Sequence, residues 1–146
     1  MRAHLEQERA DTPAEKRTVF GACSWIPDAK SSFGDVEGAY FRDKHHPWFV
    51  TEPSGIEVFP KLYASPSTSQ TQSLSPAVFP MDADVLPTLD KPGYLLLRIR
   101  RNYPCGPFCE YEHVGILPEE QCARLRAALI AFQAVEAARI NRMCEE

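Results

Sequence analysis

From residue 17 onward, short apolar runs alternate with turns marked by proline or glycine, and the pattern is sharpest over residues 93–143. Leu95, Leu97 and Ile99 alternate with Leu96, Arg98 and Arg100, the period-2 signature of a strand. Val114 and Ile116 alternate in the same way with His113 and Gly115. A loop over Cys105–Phe108 sets Leu97 opposite Ile116, Ile99 opposite Val114 and Arg101 opposite Glu112. Apolar then meets apolar and charge meets its opposite, as stable cross-strand pairs require. The pattern predicts a C-terminal hairpin over 93–117.

The period lengthens after that. Pro118 suits the first turn of a helix, Glu119 and Glu120 its positive end, and Arg139 and Arg142 its negative end. A helix over 118–142 places Cys122, Leu125, Leu129, Phe132, Ile140 and Met143 on one stripe, with Val135 at its edge, and that stripe is expected to pack on the hairpin. On roughly the opposite side lie Ala127, Ala131, Ala134 and Ala138. Alanine there either raises helix propensity on a solvated face or admits a second close neighbour. The second alternative means a helix buried on two sides, by its own chain or by a second copy in a homodimer.

The first half reads as a meander of short antiparallel strands across 17–63. Its apolar runs are 18–26, Ala39-Tyr40-Phe41, Trp48 to Thr51 and Gly55 to Phe59. Residues 1–16 form a polar N-terminal arm, and the Ser/Thr/Pro-rich stretch 65–76 reads as a flexible exposed loop. Residues 77–92 are apolar but broken by Pro80, Pro87 and Pro92, and are expected as irregular structure over a sheet edge. The fold class is α+β: one domain over 17–146, an interrupted and mainly antiparallel sheet whose hairpin packs against one long C-terminal helix.

Composition narrows the function classes. Sixteen basic and twenty acidic residues give a formal charge of −4, which argues against a general nucleic-acid binder. No run is long and apolar enough to span a membrane, and the N-terminus lacks the apolar core of a signal peptide. Five cysteines without an export signal point to a reducing cytoplasm.

The chemistry-bearing residues are few. Cys105-Gly106-Pro107-Phe108-Cys109 resembles a redox turn with one residue added, but it joins two predicted strands and does not open a helix behind a strand, as thioredoxin-like proteins do. With His113 the two cysteines could ligate zinc, a fourth ligand coming from Cys23, His45 or His46. A hairpin with incidental cysteines, or a disulfide across its tip, are the competing readings. His45 and His46 beside Asp43 could act as acid and base, and Cys23 as a nucleophile, although no motif marks a catalytic set.

His46-Pro47-Trp48-Phe49-Val50-Thr51, followed by Gly55-Ile56-Glu57-Val58-Phe59-Pro60-Lys61-Leu62, resembles the closing β-hairpin of KaiC-like RecA-type ATPases. The resemblance covers residues 46–62 and implies a hairpin there. This chain has no phosphate-binding loop, so ATPase activity does not follow from it.

The preferred reading is a small soluble intracellular protein-binding module without catalysis: an inhibitor, adaptor or accessory subunit whose partner is another protein. Its interface candidates are Trp25, Tyr40, Phe41, Trp48 and Phe49, since interfaces use aromatic anchors, together with Ala127, Ala131, Ala134 and Ala138. The alternative is a small metal-binding protein or enzyme using Cys105, Cys109 and His113 with His45 and His46.

Overall fold

The computed structural model describes residues 16–27, 45–53, 61–69, 75–82, 85–86 and 92–145. They form seven strands and two helices: β1 (Ala22–Pro27), β2 (His45–Glu52), β3 (Lys61–Thr68), β4 (Val78–Met81), β5 (Gly93–Leu96), β6 (Arg101–Pro104), α1 (Cys105–Glu110), β7 (Glu112–Ile116) and α2 (Glu119–Glu145). The fold is α+β, with a mainly antiparallel sheet and one long C-terminal helix. The sheet order is β4-β5-β3-β2-β1-β7, and β6 pairs with β3 beyond the end of β5. Tyr40, Phe41, the run 55–59, residues 1–15 and the side chain of His45 lie outside the described residues.

Both sheet faces are covered, so the core has two halves. On one side Phe49, Leu95, Leu97 and Val114 pack with Cys122 and Leu125 of α2. On the other, Trp48, Val50, Leu62 and Ala64 pack with Tyr103 and Phe108. Alternation along β2 sends Trp48 and Phe49 to opposite halves, and both are fully buried. These two aromatics are therefore core residues and not interface anchors. Trp25 is half-buried against the α2 side.

The C-terminal hairpin over 93–117 does not form. β7 pairs with β1, through Ser24↔His113 and Trp25↔Glu112, and β6 pairs with β3, through Leu62↔Tyr103. β6 and β7 both run antiparallel to members of an antiparallel β1–β2–β3 set, so they point the same way. Strands pointing the same way need a crossover and not a tight turn. Cys105-Gly106-Pro107-Phe108-Cys109-Glu110 is that crossover, coiled as α1, with Pro107 in the first turn where its missing N–H costs nothing. Alternating residues state which faces a strand presents, not which edge it joins.

The strand expected from the alternation of Leu95, Leu97 and Ile99 is interrupted. Thr68 pairs with Tyr94 and Ser67 with Leu95, yet Ala64 pairs with Arg101, so three extra residues are spent opposite Ser65 and Pro66. Pro66 offers no N–H to a ladder, and the facing chain loops out over Leu97 to Arg100. The outcome for 65–76 differs from its composition. Residues 65–68 are not a flexible loop but the second half of β3, with Ser65, Ser67 and Thr68 buried. Strands on both sides and covered faces above and below bury small polar side chains that could not drive burial themselves. Ser75 and Pro76 do form an exposed turn, where Ser75 Oγ accepts the Ala77 N–H at 3.2 Å.

α2 extends to Glu145. Only the start of its expected stripe is core: Cys122 and Leu125 are buried, and Leu129 and Phe132 are half-buried. Val135, Ile140 and Met143 are 46%, 51% and 61% exposed, so the distal half projects beyond the sheet that was expected to cover it. No described helix is long and apolar enough to cross a membrane.

Candidate functional site

Two irregularities in the sheet create a cleft under α2. The first is in β2. Val50 pairs with Ala64 but Glu52 pairs with Tyr63, so Thr51 is an extra residue in the ladder. Such a bulge turns consecutive side chains toward one face. Thr51 and Glu52 both line the cleft, and Thr51 Oγ1 donates to the Tyr63 carbonyl at 3.5 Å. The second irregularity is the excursion after β5, which brings Leu97 and Arg100 to the same place. α2 closes the far wall with Arg126, Leu129, Phe132 and Gln133.

The resulting cavity measures about 530 Å³, inside the range of small-molecule sites. Its two guanidinium groups are held by aromatic rings. Arg100 lies 3.9 Å from the centre of the Tyr63 ring, and Arg126 lies 4.3 Å from that of Phe20. Such stacking holds a flexible cation in place before any ligand arrives. Arg100 also pairs with Glu52. On the floor, Ser65 is 1% exposed and its hydroxyl has no hydrogen-bond partner among the described residues. The site thus combines an apolar wall, two oriented cations, one anion and an orphaned hydroxyl.

The residues singled out from sequence chemistry lie elsewhere. Cys105 and Cys109 sit one turn apart on α1, while His113 is buried in β7 beside β1. Among the described residues no three His, Cys, Asp or Glu side chains form a group that could hold a metal ion, so Cys105, Cys109 and His113 do not make the expected ligand set. The strand after α1 leaves for the far edge of the sheet and does not fold back over the cysteines. Burial pushes the Cys109 thiol up, and the nearby Cys105 adds to the effect against the opposing pull of Arg17. That is the reverse of what a reactive thiolate requires. Arg17 Nη1 donates to the Cys109 carbonyl at 3.1 Å, tying the chain before β1 to the end of α1.

Cys23 is fully buried, and desolvation raises its thiol well above the ordinary cysteine value, which disfavours the thiolate that a nucleophile needs. Burial likewise pushes the Tyr103 phenol up, reinforced by Tyr111 and opposed by Arg101. Both groups are favoured in their neutral forms by folding. The stability they contribute is fully present below their unfolded values, about 8.5 for Cys and 10 for Tyr, and is lost as pH rises through the higher folded values. Stability measured by urea unfolding is therefore expected to fall from about pH 8.5, more steeply past pH 10, approaching about 1.4 kcal/mol per pH unit for each group that stays protonated in the fold. Cys23→Ala should flatten the first part of that decline and Tyr103→Phe the second; unchanged slopes would show that neither group controls it.

None of the cleft's polar residues stood out from sequence alone. Arg98, Arg100 and Arg101 were visible as a short basic run, but its pattern does not say that only Arg100 enters a cavity. No protein-family model matches the chain, and no curated protein is significantly similar to it.

Proposed function

We propose that this protein is a small non-catalytic binding module that acts through the projecting half of α2, and that the first occupant of this face is a second copy of the chain. The observation that carries the reading is the exposure of Val135, Ile140 and Met143 on a helix that continues beyond its own sheet. An apolar side chain left in water forgoes about 25 cal/mol per Å² that contact would recover. Ala127, Ala131, Ala134 and Ala138 are exposed too, but on roughly the opposite side of α2, so they form a separate small-residue face that this contact does not use. α2 itself carries four acidic residues (Glu119, Glu120, Glu136 and Glu145) and four basic ones (Arg124, Arg126, Arg139 and Arg142), so two copies meet without net repulsion. The five cysteines are thiols and not disulfides, which supports a reducing, cytoplasmic setting. In that setting the module would serve as an inhibitor, adaptor or accessory subunit.

Light scattering over a concentration series tests the reading. The wild-type mass is expected to rise from 16.5 kDa toward twice that value, with Ile140→Glu/Met143→Glu remaining at 16.5 kDa. Both residues lie outside the core, so at concentrations where the wild type is monomeric the variant should keep its unfolding midpoint. A wild-type chain that stays monomeric at every concentration would remove the second copy as the occupant.

A further inference from the structure

We infer that the cleft between α2 and the sheet is a binding site for a small monoanionic molecule with an apolar body, a carboxylic acid being the simplest chemistry that fits. This goes beyond the protein-binding reading and does not depend on it, since the cleft lies at the root of α2 and the proposed contact lies at its distal half.

Charge selects the anion. Among the described residues, Arg100, Arg126 and Glu52 are the charged ones that line the cavity. Glu52 is paired with Arg100, which leaves the single positive charge of Arg126 without a carboxylate partner among the described residues. One surplus cation matches one ligand anion, and a planar guanidinium presents two parallel N–H donors to a carboxylate. Arg126 lies over the Phe20 ring, which places its guanidinium at the cleft wall. A divalent anion would find no second uncompensated charge among the described residues.

The remaining surfaces select the rest of the molecule. Leu97, Leu129, Phe132 and the Phe20 ring offer an apolar wall, suited to a hydrocarbon or aromatic body. Ser65 adds the observation that points most directly to a ligand. Its hydroxyl is buried without a partner, and a buried polar group left unsatisfied costs about 1–3 kcal/mol. Ser24 Oγ and the Tyr103 hydroxyl are also buried without a partner among the described residues, but of the three only Ser65 lines the cleft. A carboxylate oxygen or carbonyl reaching the floor would accept from Ser65, while Arg126 holds the other side of the anion.

The site is also made by the features that break the regular sheet. Without the extra residue at Thr51, Glu52 would face the opposite half of the core. Without the excursion opposite Pro66, Leu97 and Arg100 would remain in a ladder. Bulges recur where a sheet re-aims side chains toward a site.

Titration of the full chain with 2-naphthoate, followed by ¹⁵N–¹H chemical shifts, tests the inference. Saturable shifts are expected at Thr51, Glu52, Ser65, Arg100, Arg126 and Gln133. The uncharged 2-naphthamide should bind at least tenfold more weakly. Arg126→Gln should weaken naphthoate about tenfold, the worth of one lost charge-assisted contact, and leave naphthamide unchanged. Ser65→Ala should weaken both. Equal affinity for the two probes would overturn the anion assignment. Shifts centred on Ile140 and Met143, or no saturable binding at millimolar probe, would overturn the site itself.

Discussion

Phe108→Ala is expected to lower the folding free energy by about 3–5 kcal/mol, a large fraction of the roughly 5–15 kcal/mol that holds a domain of this kind together. Phe108 is the only residue of α1 that is fully buried. Its ring centre lies 5.8 Å from that of Tyr103 and 6.5 Å from that of Tyr111, and Tyr103 in turn meets Trp48 edge-on at 5.5 Å. Truncation leaves a ring-sized void at the centre of this chain of contacts. A helix of six residues has too few internal hydrogen bonds to persist without its anchor. The crossover between β6 and β7 should therefore loosen together with the second face of the sheet. Urea unfolding measures the loss, and near-ultraviolet circular dichroism should show a weakened Trp48 and Tyr103 signal. A cost under about 1 kcal/mol would mean that α1 does not close this face.

Gly21→Ala is the second large effect, and its cause is local geometry. Gly21 has φ +83°, a backbone conformation that costs an L-residue about 1–2 kcal/mol. A Cβ at this position would also lie 2.6 Å from the Cys122 sulfur. Neither neighbour moves easily. The Gly21 N–H donates to the Val50 carbonyl at 2.9 Å, its own carbonyl accepts the Leu117 N–H at 3.1 Å, and the Cys122 thiol lies 3.4 Å from the Leu117 carbonyl. The residue joins β2, β1 and the entry to α2 at one point. A total cost of about 2–4 kcal/mol is expected, combining the backbone cost with overpacking. Adding Cys122→Ala to Gly21→Ala should recover the overpacking part and leave the backbone part. A double variant no more stable than Gly21→Ala alone would show that contact with the sulfur is not what makes alanine costly.

Legibility varied with the physical range of each signal. The start of α2 was plain because capping and dipole preferences are properties of adjacent residues: Pro118, Glu119 and Glu120 act within one turn. β2 was readable for a similar reason, as an aromatic and β-branched run bounded by proline, whereas of the run 18–26 only the part from Ala22 onward is strand. The stripe on α2 was legible as a stripe, but its length in contact was not. Cys122 and Leu125 meet the sheet, whereas Ile140 and Met143 have nothing beneath them because the sheet ends first. Hydrophobic spacing does not encode how far a neighbouring element extends.

The cleft was illegible for a stronger reason. Thr51 and Glu52 share a face only because a bulge shifts the β2–β3 register, and the bulge depends on both strands at once. Arg100 and Arg126, 26 positions apart in sequence, are set on the same cavity by two elements that no local pattern links. Cys105, Cys109 and His113 show the converse, since closeness in sequence suggested a ligand set that the path of the chain pulls apart. The sequence by itself determined an α+β domain with a covered sheet and one long terminal helix, because periodicity and capping act over a few residues. Tertiary structure alone decided which edge each strand joined, whether Ser65 and Pro66 were buried, and where charges converged, because those outcomes depend on pairing between distant segments.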